Sequence, residues 1–201
     1  MTSAKLVVGQ DGVARCGWSG EDEAYRRYHD AEWGRPLCSD QALFELLSLE
    51  GFQAGLSWLT ILHKRDAFRR AFVGFEPEAV ASFGPADVER LLGDAGIVRH
   101  RGKIEAVIGN ARRCLDLPGG LGPLVWRFEA PDAGTDGPDR TTSTEAKALS
   151  RELKRSGWRF VGPTTVYAFL QAAGVVNDHV DGCHARPVVE AARRRFARPT
   201  G

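Results

Sequence analysis

The sequence predicts an all-α protein, one soluble domain or two intimate lobes, and three observations carry that expectation. Apolar residues recur at helical spacing, as in Leu43, Phe44, Leu46, Leu47 and Leu49. Helix-start signals precede such runs: Ser39, the Thr142-x-x-Glu145 box, and Pro77 and Pro85 at first-turn positions. Alternating strand patterns are hard to find. In order, residues 1–14 lack a clear period and read as a loose N-terminal extension. Residues 21–32 form a charged helix that stops before Gly34-Arg35-Pro36. A helix capped by Ser39 follows, and Gly51 and Gly55 punctuate the passage to another over Trp58–Phe72. Short helices begin at Pro77 and Pro85. The amphipathic segments 85–93 and 103–115 are joined by DAGIVRHRG. Residues 129–141 read as a mobile loop, rich in Pro, Gly and Asp. A helix from the Thr142 box closes at Gly157, and Pro163 and Gly174 bracket one more.

At 201 residues the chain can bury a core without disulfides or metal. A net charge of +1 does not by itself call for nucleic acid, but the charge is uneven. Arg99, Arg101, Lys103, Arg112 and Arg113 face one acid, Glu105, and Arg186, Arg193, Arg194, Arg195 and Arg198 crowd the end. Such clusters suit a phosphate-binding face or a solvated helix face. No signal-peptide core or bilayer-length apolar run is present, so a cytoplasmic, reducing setting is expected, with Cys38 and Cys114 as free thiols.

Three constellations bear chemistry. Cys16-x12-His29 and His179-x3-Cys183 stand at opposite ends of the chain. Zn²⁺ takes four S and N ligands tetrahedrally, and one ion on all four would staple the termini together. Cys also serves as a small buried hydrophobe, so spacing alone leaves both uses open. The Gly-containing link between the two amphipathic helices can expose backbone N–H groups where a helix dipole favours an anion, with Arg99, Arg101 and Lys103 adding charge. Trp18, Tyr28, Trp33 and Trp58 gather around Glu50 in sequence. Aromatic faces plus one carboxylate suit a flat, cationic ring, although any single Trp serves equally as core.

YHDAEWG (28–34), LEGFQAGLSW (49–58), DAGIVRHRGKIEAVIGNA (94–111), FVGPTTVYAFLQAAG (160–174) and VNDHVDGC (176–183) occur in one order after Cys16-Gly-Trp. Over roughly residues 14–184 the chain resembles the constitutive 3-methyladenine DNA glycosylases. The resemblance implies a helix-hairpin-helix DNA glycosylase fold with a structural zinc site joining the N- and C-terminal segments. Its ligands would be Cys16, His29, His179 and Cys183. The base pocket would be Glu50, Tyr28 and Trp58, with Trp18 and Trp33 nearby. The catalytic Asp of most helix-hairpin-helix glycosylases is missing from this family, and Asn110 offers no replacement, which leaves Glu50 as the acid that matters. Phe52 stands where a polar residue is expected and could alter the pocket rim.

The implied reaction is hydrolytic excision of 3-methyladenine from alkylated double-stranded DNA by a monomer, leaving an abasic site. The DNA contacts expected are Gly55 and Leu56, with Leu56 as a wedge between base steps, and Arg99, Arg101, Gly102 and Lys103 at the backbone. No lysine is placed for Schiff-base chemistry, so lyase activity is not expected. The layout is an extension over 1–14, a glycosylase domain over 15–184 and a basic tail over 185–201. Within the domain, a helix-hairpin-helix lobe covers about 50–117 and a zinc lobe 15–49 with 142–184. A related alkylated purine as substrate, or a non-catalytic zinc-stapled DNA-binding module, are the alternatives.

Overall fold

A computed structural model describes residues 6–129 and 141–200. Helices dominate it: α1 (Glu23–Ala31), α2 (Asp40–Gln53), α3 (Trp58–Ala71), α4 (Pro77–Ala81), α5 (Pro85–Gly93), α6 (Arg101–Leu115), α7 (Leu121–Trp126), α8 (Thr144–Arg155), α9 (Pro163–Ala172) and α10 (Ala185–Arg195). Ser39 acts as expected and accepts a hydrogen bond from the Ala42 amide. Ser57 caps α3 in the same way, and α8 is capped by Ser143 and not by the Thr142 of the expected box, whose hydroxyl is buried without a partner.

α2 runs through the middle, against α3, α6, α7 and α9. It therefore has no single buried face: Leu43, Phe44, Leu47, Leu49 and Phe52 are buried on different sides, and Glu50 is buried with them. Phe52 meets Phe68 and Phe72 at 4.6 and 5.8 Å between ring centroids. It belongs to an aromatic core and not to a pocket rim.

Both ends differ from the sequence expectation. The extension is not loose: Leu6–Val8 (β1) pairs antiparallel with Ala14–Cys16 (β2), Leu6 opposite Cys16. Strands of three residues in a two-stranded ribbon are too short to show a period. The hairpin delivers Cys16 to the interior, and the His184 amide donates to the Ala14 carbonyl at 2.9 Å. The basic segment after Cys183 is not a free tail either. It forms α10, whose Arg193 is buried and donates to the Gly174 carbonyl and to Glu129. Beyond the helix, Arg198 pairs with Glu129 at 2.8 Å and lies 5.5 Å from the centre of the Trp126 ring. These arginines hold the chain end to the body. The loop expected over 129–141 lies, from residue 130 to 140, outside the described residues.

α9 ends on the segment after α1. Gly174 sits there at φ +73°, and a Cβ on it would fall 2.5 Å from the Arg35 carbonyl carbon, so only glycine lets these backbones meet. The Gly34 and Leu37 amides donate to the Ala172 and Ala173 carbonyls. α1 and the 176–183 segment are thereby brought to one place.

Candidate functional site

The first assembly there is a cluster of thiols and imidazoles. The ligand atoms of Cys16, His29 and Cys183 all lie within 4.8 Å of one another, and all three residues are buried. Cys183 Sγ stands 3.5 Å from His29 Nε2, and the Val180 amide donates to Cys16 Sγ at 3.4 Å. The thiols share one ionisation. Their mutual hydrogen bond and burial push Cys16 up, while the same bond and His29 hold Cys183 low. The arrangement can hold a metal ion. His179, the fourth residue expected, is outside this tight group, with its ring centroid 4.9 Å from that of His29. Both its ring nitrogens are buried without a hydrogen-bond partner, and burial lowers its pKa to about 4, leaving a neutral imidazole.

Around the cluster lies a set of residues that sequence reasoning missed. Asp30 accepts from Arg15 at 3.0 Å, from His184 at 2.9 Å, and faces His29 Nδ1 at 2.7 Å. Burial opposes its charge, but these hydrogen bonds prevail and hold the carboxyl well below its ordinary range. A carboxylate on Nδ1 fixes the His29 tautomer and turns the Nε2 lone pair toward the thiols. Asp30 follows His29 directly, which was the available signal.

The second assembly shares α1 with the first. The Tyr28 and Trp58 rings lie 5.4 Å apart. Trp18 contacts Tyr28 at 6.4 Å, Trp33 at 4.9 Å and His29 at 5.2 Å, and Trp33 backs onto His179 at 4.5 Å. Trp18 thus joins the aromatic group to the thiol–imidazole cluster, and Trp33 sits on the cluster side. Glu50 is 5 % exposed, and its Oε2 has no hydrogen-bond partner. Burial pushes its pKa up to about 8. The indole Nε1 of Trp58 is likewise buried and unpaired. Burial and the charge of Glu50 together raise Tyr25 to about 12 and hold Tyr28 well above the ordinary tyrosine range. Tyr25, 5.1 Å from Trp18, is thus a further member that the sequence reading overlooked. A depression of about 290 Å³ shares Tyr28 and Trp58 with this group and is also lined by Glu32, Arg35, Leu46 and Arg65. Buried polar groups are almost always paired, so an unmet carboxylate and an unmet indole N–H in one aromatic cluster mark a place for a polar ligand edge.

The third assembly is a surface. Gly55 takes φ +84° in the turn between α2 and α3, and Leu56 is 44 % exposed, outside the core. At the start of α6, His100 Nδ1 accepts from the Lys103 amide at 3.2 Å, which starts the helix two residues earlier than its apolar pattern suggests. Arg99 is exposed, while Arg101 is tied to Glu89 at 2.7 Å. Lys103 departs from expectation. Its side chain does not face solvent but is 6 % exposed, and its ammonium donates to the Phe52 and Ala54 carbonyls. It is spent on holding the Gly55–Leu56 turn and cannot also meet a phosphate. Asn110 spends its amide both ways on the Arg159 backbone, at 3.0 and 2.9 Å.

Comparison with known proteins identifies the family. A sequence model of the methyladenine glycosylase family matches residues 18–186. The chain is 48 % identical over 183 residues to DNA-3-methyladenine glycosylase 1 of Escherichia coli K12, covering 87 % of this chain and 98 % of that one. It is 42 % identical over 179 residues to the DNA-3-methyladenine glycosylase of Haemophilus influenzae, covering 85 % and 97 %. A crystal structure of a 3-methyladenine DNA glycosylase I superposes with a TM-score of 0.80 at 44 % identity, covering 86 % of this chain and all of the other. The Staphylococcus aureus enzyme, solved for the basis of its 3-methyladenine recognition, gives 0.81 at 40 % identity over 86 % and 96 %.

Proposed function

The chain belongs to the methyladenine glycosylase family, and from that premise we propose that it excises 3-methyladenine from alkylated duplex DNA by hydrolysis. The observation that carries the reading is Glu50, buried with an unpaired oxygen and close enough for its charge to act on Tyr28 and Tyr25, together with Trp58, whose ring packs on Tyr28 and whose Nε1 is also unpaired. A purine edge offers both N–H donors and ring-nitrogen acceptors, which match a carboxylate and an indole N–H. Tyr28 and Trp58 supply ring faces, and Trp18 and Tyr25 close the group.

The chemistry follows from the lesion. Methylation at N3 leaves adenine cationic in the nucleotide, so its glycosidic bond is already weak. Water adds at the sugar C1′ and its proton passes to solvent. The C1′–N9 pair of electrons leaves with the base, which departs neutral. The protein must extrude the base, which takes a few kcal/mol, and distinguish it from undamaged adenine. Ionised Glu50 opposes the lesion's positive charge and accepts its N–H hydrogens, which a neutral base rewards less.

The Gly55–Leu56 turn enters the duplex where the base has left, and α5–α6 act as a helix-hairpin-helix. The free amides at the start of α6, near Arg101 and Gly102, receive a phosphate, with Arg99 beside them. Lys103 supports this from within, as a positioning residue for the turn.

Zinc is the metal this donor set suits: two thiol sulfurs, His29 with its tautomer fixed by Asp30, and a neutral His179 whose nitrogens lack partners. Cys16, His29, His179 and Cys183 would hold it. With four protein ligands it would fix α1 and the aromatic wall and would have no open position for the reaction.

Incubation with methylated duplex, followed by chromatography of the released bases, tests the reading. Release of 3-methyladenine is expected. Tight binding to DNA without base release would mean a binding module, and release of a different alkylated purine would move the lesion.

A further inference from the structure

Phe160 breaks two rules at once. Its backbone is left-handed, at φ +56°, a region that bulky residues avoid. Its side chain is 36 % exposed although it is fully apolar. Its neighbours, by contrast, are firmly held. Asn110 grips the Arg159 N–H and carbonyl, and buried Val161 has its carbonyl taken by Ser150 Oγ at 2.6 Å. One aromatic ring is thus presented outward between two anchored residues. Strain of this kind persists only where the surroundings over-determine it, and it gathers at working surfaces.

The position is where three segments meet. Phe160 Cβ lies 3.4 Å from where a Cβ on Gly51 would stand, in the last turn of α2 before the Gly55–Leu56 turn. The Phe160 ring is 6.2 Å from that of His100, which caps α6. The Arg159 guanidinium reaches to 3.9 Å from the Cβ position of Gly102. Lys103 then ties the start of α6 back to Phe52 and Ala54. Arg99 and Arg159 are exposed and make no ion pair among the described residues, so the surface is cationic and complements a nucleic-acid backbone.

We propose that Phe160 is a second DNA-inserting side chain, stacking on a base at the step that Leu56 opens. This rests on the reading that the Gly55–Leu56 turn enters the duplex. A ring without polar atoms stacks on any base, so the contact is independent of sequence, as suits a protein that must find one damaged adenine anywhere. The left-handed backbone fixes the ring's direction before DNA arrives.

Phe160→Gly is the informative variant, because glycine takes φ +56° without strain and removes only the ring. Wild type, Phe160→Gly and Leu56→Ala are compared for three properties. These are affinity for a duplex carrying a stable abasic analogue with 2-aminopurine beside it, affinity for free 3-methyladenine, and melting temperature. Phe160→Gly is expected to weaken duplex binding by about tenfold or more and to lose part of the 2-aminopurine emission change. Its free-base affinity and melting temperature should hold. Undiminished duplex affinity in Phe160→Gly, with a loss in Leu56→Ala, overturns the second insertion and leaves the turn reading standing. No loss in either variant overturns both. A parallel fall in free-base affinity and melting temperature assigns Phe160 a packing role and overturns the proposal.

Discussion

Glu50→Gln keeps the side chain's shape and removes its charge, so it separates an anionic from a neutral recognition group. Burial lifts the Glu50 carboxyl to about 8. At pH 7 roughly nine-tenths of the unliganded protein therefore carries it protonated, and only the ionised remainder matches a cationic lesion. A hydrogen bond to a charged group contributes about 1.5–3 kcal/mol, or roughly 10- to 150-fold. Above pH 8 the wild type should exceed Glu50→Gln in kcat/KM by that factor. Below pH 8 the advantage should shrink by about tenfold per pH unit and be nearly gone by pH 6. The assay is release of 3-methyladenine from methylated duplex between pH 6 and 9, under conditions that give kcat/KM. Taking the ratio of the two proteins cancels the pH dependence of DNA binding itself. A ratio that stays constant with pH refutes the anionic role, and a ratio of one throughout removes Glu50 from the pocket. Stability gives an independent check. The folded protein keeps a proton on Glu50 that the unfolded chain loses above its ordinary 4.5. Stability from this group is therefore fullest below pH 4.5 and falls by up to about 1.4 kcal/mol per pH unit until pH 8. Glu50→Gln should abolish that slope in denaturant melts.

Elemental analysis should find about one zinc per chain, and Cys183→Ser should lose it while the central helices persist by circular dichroism. Asp30→Asn should keep the ligands but weaken metal affinity by about 10- to 100-fold, as read by chelator competition. Full zinc in Cys183→Ser would refute the site. Leu56→Ala, at an exposed position, should change stability by less than about 0.5 kcal/mol while weakening binding to abasic duplex; a large loss of stability would return Leu56 to the core. Lys103→Met leaves the Phe52 carbonyl unmet and should destabilise by about 1–3 kcal/mol, seen as a lower melting temperature, and should lower duplex affinity more than free-base affinity. An unchanged melting temperature would show that the clamp is slack.

Helices and donor atoms were the legible part of the sequence. Cys and His are few and chemically distinctive, so their spacing stood out, and caps and prolines act within a turn of where they are written. What escaped was set by neighbours distant in sequence. Lys103 reads as a surface cation until the carbonyls of Phe52 and Ala54 are found beside it, and Phe52 reads as a rim residue until Phe68 and Phe72 enclose it. Tyr25 joins the aromatic group through Trp18, which lies outside the helix that carries both tyrosines. The hairpin escaped for a different reason: three-residue strands are too short to repeat the two-residue alternation that would betray them.

The meeting of the chain's two ends has a consequence for how the protein is made. Cys183 and His29 are 154 positions apart, and the Val180 amide reaches back 164 positions to Cys16. Closing so long a loop takes little more entropy than closing one half its length, about 0.6 kcal/mol. The difficulty is one of timing. During synthesis, the segment bearing His179 and Cys183 emerges only after nearly all the helices, while Cys16 and His29 wait without half of their partners. The cluster can therefore assemble only late, and retention of the proposed metal would certify that the chain has been translated and packed through Cys183. A nascent chain stalled before residue 179 should carry Glu50, Tyr28 and Trp58, the residues proposed to receive the base, yet leave α1, on which Tyr28 rides, without its clasp.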